Sequence, residues 1–311
     1  MLKMVTNPME ANLITHSGTM HADEVFATAF LELYLKEVKV LRTSEVPKNI
    51  PYEAIIYDIG RGEFDHHQPD AKKRENGIPY SSIGLLWEKF GRDYLEKQKI
   101  ENKEEVFLGV DKDLIEAIDA DDNGYFPKID ATYKVKTLSN IIKIFNPSYD
   151  SKETETNQFQ KAVGVAKIIL EEEIIYITGK VKADKIIKKE LEKVEEDDKY
   201  LILEEYLPYE EALLNSEKGN NLLFVAFPSN RGGYAIKTIP KSLTDKTARL
   251  LFKEEWAGKT EEELEEVSGI KGLRFCHTGR FILTCDTKET VEKVLDLLCK
   301  ENVNEQKIKK E

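Results

Sequence analysis

The sequence predicts an α/β protein in which an N-terminal domain with a mainly parallel, helix-covered sheet is followed by a smaller α+β domain. Three observations predict it. Strand and helix patterns alternate through the first half, short strands crowd together from Tyr200 onward, and 311 residues exceed the usual size of one hydrophobic core. Hydrophobic residues at 41% and charged residues at 33% fit a globular chain with a well-solvated surface.

The first strand, over 12–15, is short and apolar and delivers His16 at its C-terminal end. Gly18 permits a tight turn, and 22–35 then shows helical periodicity through Val25, Phe26, Ala29, Phe30 and Leu33. Strands over 38–42 and 54–57 follow, with Pro and Asn punctuation between them. Helices are expected at 81–90 and 104–117, the second ended by Gly124 and Pro127. A long helical pattern over 156–194 carries Phe159, Val163, Ala166, Ile169 and Leu170 on one side and becomes rich in Lys and Glu. Strands over 201–203, 222–227, 234–239, 273–276 and 281–285 read as a mostly antiparallel sheet, closed by a helix over 288–298. The expected division is 1–150 for the first domain, 151–195 for a helical connector and 196–311 for the second domain.

Chemistry-bearing residues gather in three places. One is His16-Ser17-Gly18-Thr19-Met20-His21-Ala22-Asp23-Glu24; another is Asp65-His66-His67, seven residues after Asp58 in an apolar run. Imidazole with carboxylate suits Mn²⁺, Fe²⁺, Co²⁺ or Zn²⁺. His16 and Asp58 both stand at the carboxyl ends of predicted parallel strands, where ligands of such sheets collect. The third group, Asp119-Ala120-Asp121-Asp122-Asn123-Gly124, follows the 104–117 helix, whose macrodipole disfavours negative charge at that end. A bound cation would offset it; a solvated acidic turn is the plainer reading of that run alone.

Charge and cysteine usage narrow the classes. A net charge of −12 argues against a dedicated duplex-binding face and favours a small or short anionic substrate gripped locally. Nothing approaches the apolar run of about 18 residues needed to cross a membrane, and residues 1–12 lack a signal-peptide apolar region. Cys276, Cys285 and Cys299 are odd in number and in no zinc spacing, so they read as reduced thiols of a cytoplasmic protein.

The motif His-x-Gly-x-x-His-x-Asp-Glu, the Asp58-Ile59-Gly60 strand end, Phe64-Asp65-His66-His67-Gln68 and Ile118-Asp119-Ala120-Asp121-Asp122-Asn123-Gly124 occur in that order. So do Asn146-Pro147, Val267-Ser268-Gly269-Ile270 and Phe275-Cys276-His277-Thr278-Gly279-Arg280-Phe281. Together they resemble the melanocyte-proliferating-gene exonuclease family, a branch of the DHH phosphoesterases, over almost the whole chain. The resemblance implies a DHH-like first domain holding two divalent ions, Mn²⁺ foremost. His16 and His21 would bind one ion and Asp23 the other, with Asp58 bridging them and contributing to catalysis. His66 and an acid from 119–122 would complete the second site, with Asp119 and Asp122 both open. Many DHH relatives have Asp where this chain has His21, a departure that bears on the charge of the first site and on metal preference.

His67 would face the substrate and protonate the leaving oxygen, while Asp65 would orient an imidazole. His277 in a hairpin is either a histidine packed on a sheet or, with Gly279 and Arg280, a phosphate or nucleotide contact. Arg231 in Ser229-Asn230-Arg231-Gly232-Gly233-Tyr234 lies in a hairpin turn that can also cradle an anion. The implied activity is 3′→5′ exonucleolytic hydrolysis of short single-stranded RNA by two ions and a bridging hydroxide. A hydrolase of pyrophosphate, dinucleotides or cyclic dinucleotides is the enzymatic alternative, and a metal-stabilised regulatory module the non-catalytic one.

Overall fold

The computed structural model describes residues 1–308, with side chains as far as 302. The chain divides into two compact units, Met1–Val181 and Lys182–Glu311.

In the first unit, β1 (Leu2–Met4), β2 (Leu13–His16), β3 (Val38–Thr43) and β4 (Ile55–Ile56) form a sheet in the order β1-β3-β2-β4. Every pairing is parallel, and the β2–β3 register sets His16 opposite Thr43. Leu13, Ile14 and Thr15 are all buried, as a strand covered on both faces requires. Leu13 joins the main core, whereas Ile14 packs with Ala11 and Leu41 in a small separate cluster. Strand β1 lies outside the expected elements; it is three residues long and takes its order from pairing with β3.

Helix α1 (Ala22–Leu35) starts six residues after β2, and Ala22–Leu31 are buried all round. Such a helix is held by packing on every side rather than on one stripe. It lies against α2 (Ser82–Lys97), where Phe30 meets Trp87 edge-on with centroids 5.3 Å apart. Trp87 in turn stacks on Phe107 of α3 (Lys103–Val110) at 5.5 Å. Each of these buried aromatics contributes roughly 1.5–3 kcal/mol of apolar burial. The helix expected over 104–117 is longer and interrupted: α3 passes through a π-helical turn, Asp111–Ile115, into α4 (Glu116–Asp122). The wider turn rotates the acids that follow it relative to α3. Helix α5 (Leu138–Lys143) completes the cover.

Helix α6 (Glu155–Glu192) contributes Phe159, Val163, Ala166 and Leu170 to the first core, whereas Ala183, Ile187 and Leu191 belong to another. The second unit holds β5 (Tyr200–Ile202), α7 (Glu210–Leu214), β6 (Phe224–Pro228), β7 (Tyr234–Thr238), α8 (Glu261–Ser268), β8 (Leu273–Cys276), β9 (Ile282–Cys285) and α9 (Lys288–Ile308). Its sheet runs β5-β6-β7-β9-β8, antiparallel except between β5 and β6. Among the described residues, no helix is long and apolar enough to cross a membrane.

Candidate metal centre

The carboxyl edge of the parallel sheet brings three of the sequence clusters together. Strand β2 ends on His16, and Asp58 follows β4 by two residues in a left-handed backbone (φ 55°) that Asp tolerates better than most residues. The turn beyond β2 is tied down from outside. Arg42 donates to the carbonyls of His16 (3.1 Å) and Gly18 (3.0 Å). The Asn146 side chain clasps Met20, accepting its N–H at 2.8 Å and donating to its carbonyl at 2.9 Å. This turn delivers His21 to the start of α1, where the Glu24 carboxylate accepts the His21 N–H at 2.9 and 3.0 Å. That capping arrangement fixes both residues at the helix entrance.

His16 Nε2 lies 3.1 Å from Asp58 Oδ2 and 3.4 Å from Glu24 Oε1. His66 Nε2 lies 3.2 Å from Asp58 Oδ1, 3.2 Å from Asp122 Oδ2 and 3.6 Å from Asp23 Oδ2. Four sets of donor atoms, each within 4.8 Å of one another, overlap here: His16–His21–Glu24, Asp58–His66–His67, His21–Asp23–Asp122 and Asp23–Glu24–Asp58. Within this cluster Asp23 Oδ1, Asp58 Oδ1 and His66 Nε2 are buried and have no hydrogen-bond partner. Orphaned polar atoms are costly in a protein interior, and a cation held among these carboxylates and imidazoles would satisfy them.

The electrostatics agree. Burial disfavours a charged His66, yet the Asp23 and Asp58 carboxylates push its pKa up to about 11. Burial, and then the charge of Asp23, push Asp122 up to about 8. Glu24 is raised well above the carboxylate range by burial and by Asp23 and Asp58. Without cations the site therefore holds more carboxylates than it can keep ionised. Its mixture of imidazole and carboxylate donors fits Mn²⁺, Fe²⁺, Co²⁺ or Zn²⁺.

Asp119 stands apart from this cluster, and the structure separates the two acids left open by the sequence. One Asp119 oxygen accepts the Ser81 N–H (3.0 Å) and hydroxyl (2.6 Å); the other accepts Arg74 Nε (3.0 Å) and Nη2 (2.7 Å). Both of its oxygens are thus engaged away from the cluster, while Asp122 faces His66. Burial pushes Asp119 up to about 6 against the pull of Ser81 and Arg74.

His67 is 59% exposed, and its Nδ1 sits 2.7 Å from Asp65 Oδ1. Asp65 is buried and also accepts the backbone N–H groups of Arg61 and His67. His16, His21, Asp58, Arg61, Asp65 and His67 line a depression of about 340 Å³. Sequence reasoning passed over Glu24, which reads as an ordinary helix-entrance acid, and Arg61, whose only signal is its place between Gly60 and Asp65.

The remaining predicted contacts lie in the second unit. His277, just past β8, packs its ring on Phe281 with centroids 4.3 Å apart, and its Nδ1 accepts the Gly279 N–H at 2.9 Å. Arg280 adopts a left-handed backbone (φ 57°) in the turn. Arg231 occupies the tight turn between β6 and β7, closed by the Ser229 N–H to Gly233 carbonyl bond at 2.8 Å.

Residues 12–297 match the model of the MYG1 exonuclease family, described as "Uncharacterised protein family (UPF0160)". The chain is 26% identical over 309 residues to the MYG1 protein of Dictyostelium discoideum, covering 90% of this chain and 94% of that one. It is 29% identical over 298 residues to the MYG1 protein of Chlamydia muridarum, with 92% and 96% covered. It is 28% identical over 308 residues to the MYG1 exonuclease of Homo sapiens, with 88% and 82% covered. Among solved structures, RecJ of Thermus thermophilus in complex with Mn²⁺ aligns with a TM-score of 0.29 and 13% identity. That alignment covers 94% of this chain and 52% of RecJ, at a similarity too low to define a shared fold.

Proposed function

The chain belongs to the MYG1 exonuclease family, and from that premise we propose that it is a divalent-metal-dependent phosphoesterase removing nucleotides from the 3′ end of short single-stranded RNA. The observation that carries the proposal is the convergence of buried, unpartnered carboxylate and imidazole atoms at the sheet edge. Two ions, Mn²⁺ foremost, would be held there. His16, His21 and Glu24 would serve one and Asp23, His66 and Asp122 the other, with Asp58 between them. When bound, such a pair acidifies water and neutralises phosphate oxygens.

The chain's own residues supply the rest. Asp65 fixes the His67 ring through Nδ1, and the other ring nitrogen of this exposed side chain would deliver a proton to the leaving oxygen. Arg61 lines the same depression and would pair with a phosphate. His277, Gly279, Arg280 and Arg231 would contact the substrate through the second unit. The odd number of cysteines, in no zinc spacing, fits the cytoplasmic location we propose. The net charge of −12 favours short over long polyanions and gives a reason to test small phosphate esters beside RNA.

The test is Mn²⁺-dependent cleavage of 5′-labelled short RNA, beside pyrophosphate and cyclic dinucleotides, by wild type and Asp58→Asn. Asn tolerates the left-handed backbone at this position, so the substitution isolates the carboxylate. A ladder shortening from the 3′ end and lost in the variant is expected. Turnover of the small substrates alone would reassign the substrate, and silence on all of them with Mn²⁺ bound would leave a regulatory module.

A further inference from the structure

Two successive serines at the start of α2 face two different buried carboxylates. Ser81 donates through N–H and hydroxyl to Asp119, as described above. Ser82 donates its hydroxyl to Asp23 Oδ2 at 2.9 Å and directs its N–H at the same oxygen from 3.4 Å. Both serines are fully buried, as are Asp23 and Asp119. The two oxygens of Asp23 therefore differ: Oδ2 accepts from Ser82 and lies 3.6 Å from His66 Nε2, whereas Oδ1 is buried with no partner. Glycine at position 84 is needed for this arrangement, because a Cβ there would fall within the Asp119 carboxylate.

We infer that Ser82 is a positioning residue for the metal centre: it holds one oxygen of Asp23 so that the other is presented to a cation. The inference rests on the metal reading above. Ser82 touches neither substrate nor cation. It acts by fixing the rotation of a carboxylate that is crowded by Glu24, Asp58 and Asp122. The N–H groups at the start of α2 add their favourable dipole to the same oxygen. The Ser81–Asp119–Arg74 contact anchors the helix end from which Ser82 projects, so the two serines divide anchoring from orientation.

Loss of an outer hydrogen bond to a metal ligand weakens metal binding by about 10–100-fold. Mn²⁺ binding is measured on the full chain by titration, following the spin-resonance signal of free aqueous Mn²⁺. Unfolding midpoints are measured in chelator alongside. For Ser82→Ala the expected result is an affinity loss of about tenfold or more with the chelator midpoint close to wild type. Ser82→Cys, with a weaker donor of similar size, is expected to fall between. Ser81→Ala is expected to lower the chelator midpoint. Wild-type affinity in Ser82→Ala overturns the inference, as does an affinity loss in Ser82→Ala accompanied by the same midpoint drop as Ser81→Ala. Failure of the wild type to take up Mn²⁺ overturns the metal reading itself and this inference with it.

Discussion

Asp119 and Asp122 stand three residues apart on one short helix, yet their surroundings assign them different consequences. Asp119 is an ion-pair partner of Arg74 with both oxygens engaged. Its replacement by Ala leaves Arg74 to Asp111 alone and strips the buried Ser81 N–H and hydroxyl of their acceptor, and is expected to cost about 1–3 kcal/mol in urea unfolding. Asp122→Asn is expected to weaken Mn²⁺ binding with little loss of chelated stability, measured by the same titration and melt. His67→Gln is expected to lower kcat on RNA by about 100-fold while Mn²⁺ uptake is kept, because its Nδ1 is turned to Asp65. The histidines and Asp58 were legible because chemistry-bearing residue types clustered where strands end. Arg74 and Ser82 were not: their partners Asp119 and Asp23 lie 45 and 59 residues away, and neither residue type is unusual in a loop or at a helix start.

At the scale of elements, β3 and the long α6 were readable because each buries one face, whereas β2 and α1, buried all round, were readable as apolar runs of strand and helix length. Strand β1 was unreadable for the opposite reason, since three residues with partial burial carry no period. The π-turn at Asp111–Ile115 was equally hidden, because one wide turn barely disturbs the helical pattern around it. Helix α2 shows how tightly the elements are fitted. Gly84→Ala retains helix propensity but drives a methyl group into Asp119. The expected outcome is a loss of about 1–3 kcal/mol, read as a fall in the urea midpoint and in contrast to the gain propensity alone would give.

At the scale of the whole molecule, all the proposed metal ligands belong to the first unit, and the second has cores of its own. Chelation should therefore act unevenly. Mn²⁺ at about 100 times its dissociation constant stabilises the form that binds it by about 2.7 kcal/mol. Calorimetry with and without chelator is expected to show the shift in the transition of the first unit, with that of the second unmoved. The clasp of Asn146 on Met20 spans 126 residues. At about 5–20 residues per second a ribosome needs about 6–25 s to travel from one to the other. Through that interval the nascent histidine turn is made without its clasp, so the site can reach its final form only once nearly half of the 311-residue chain has been synthesised.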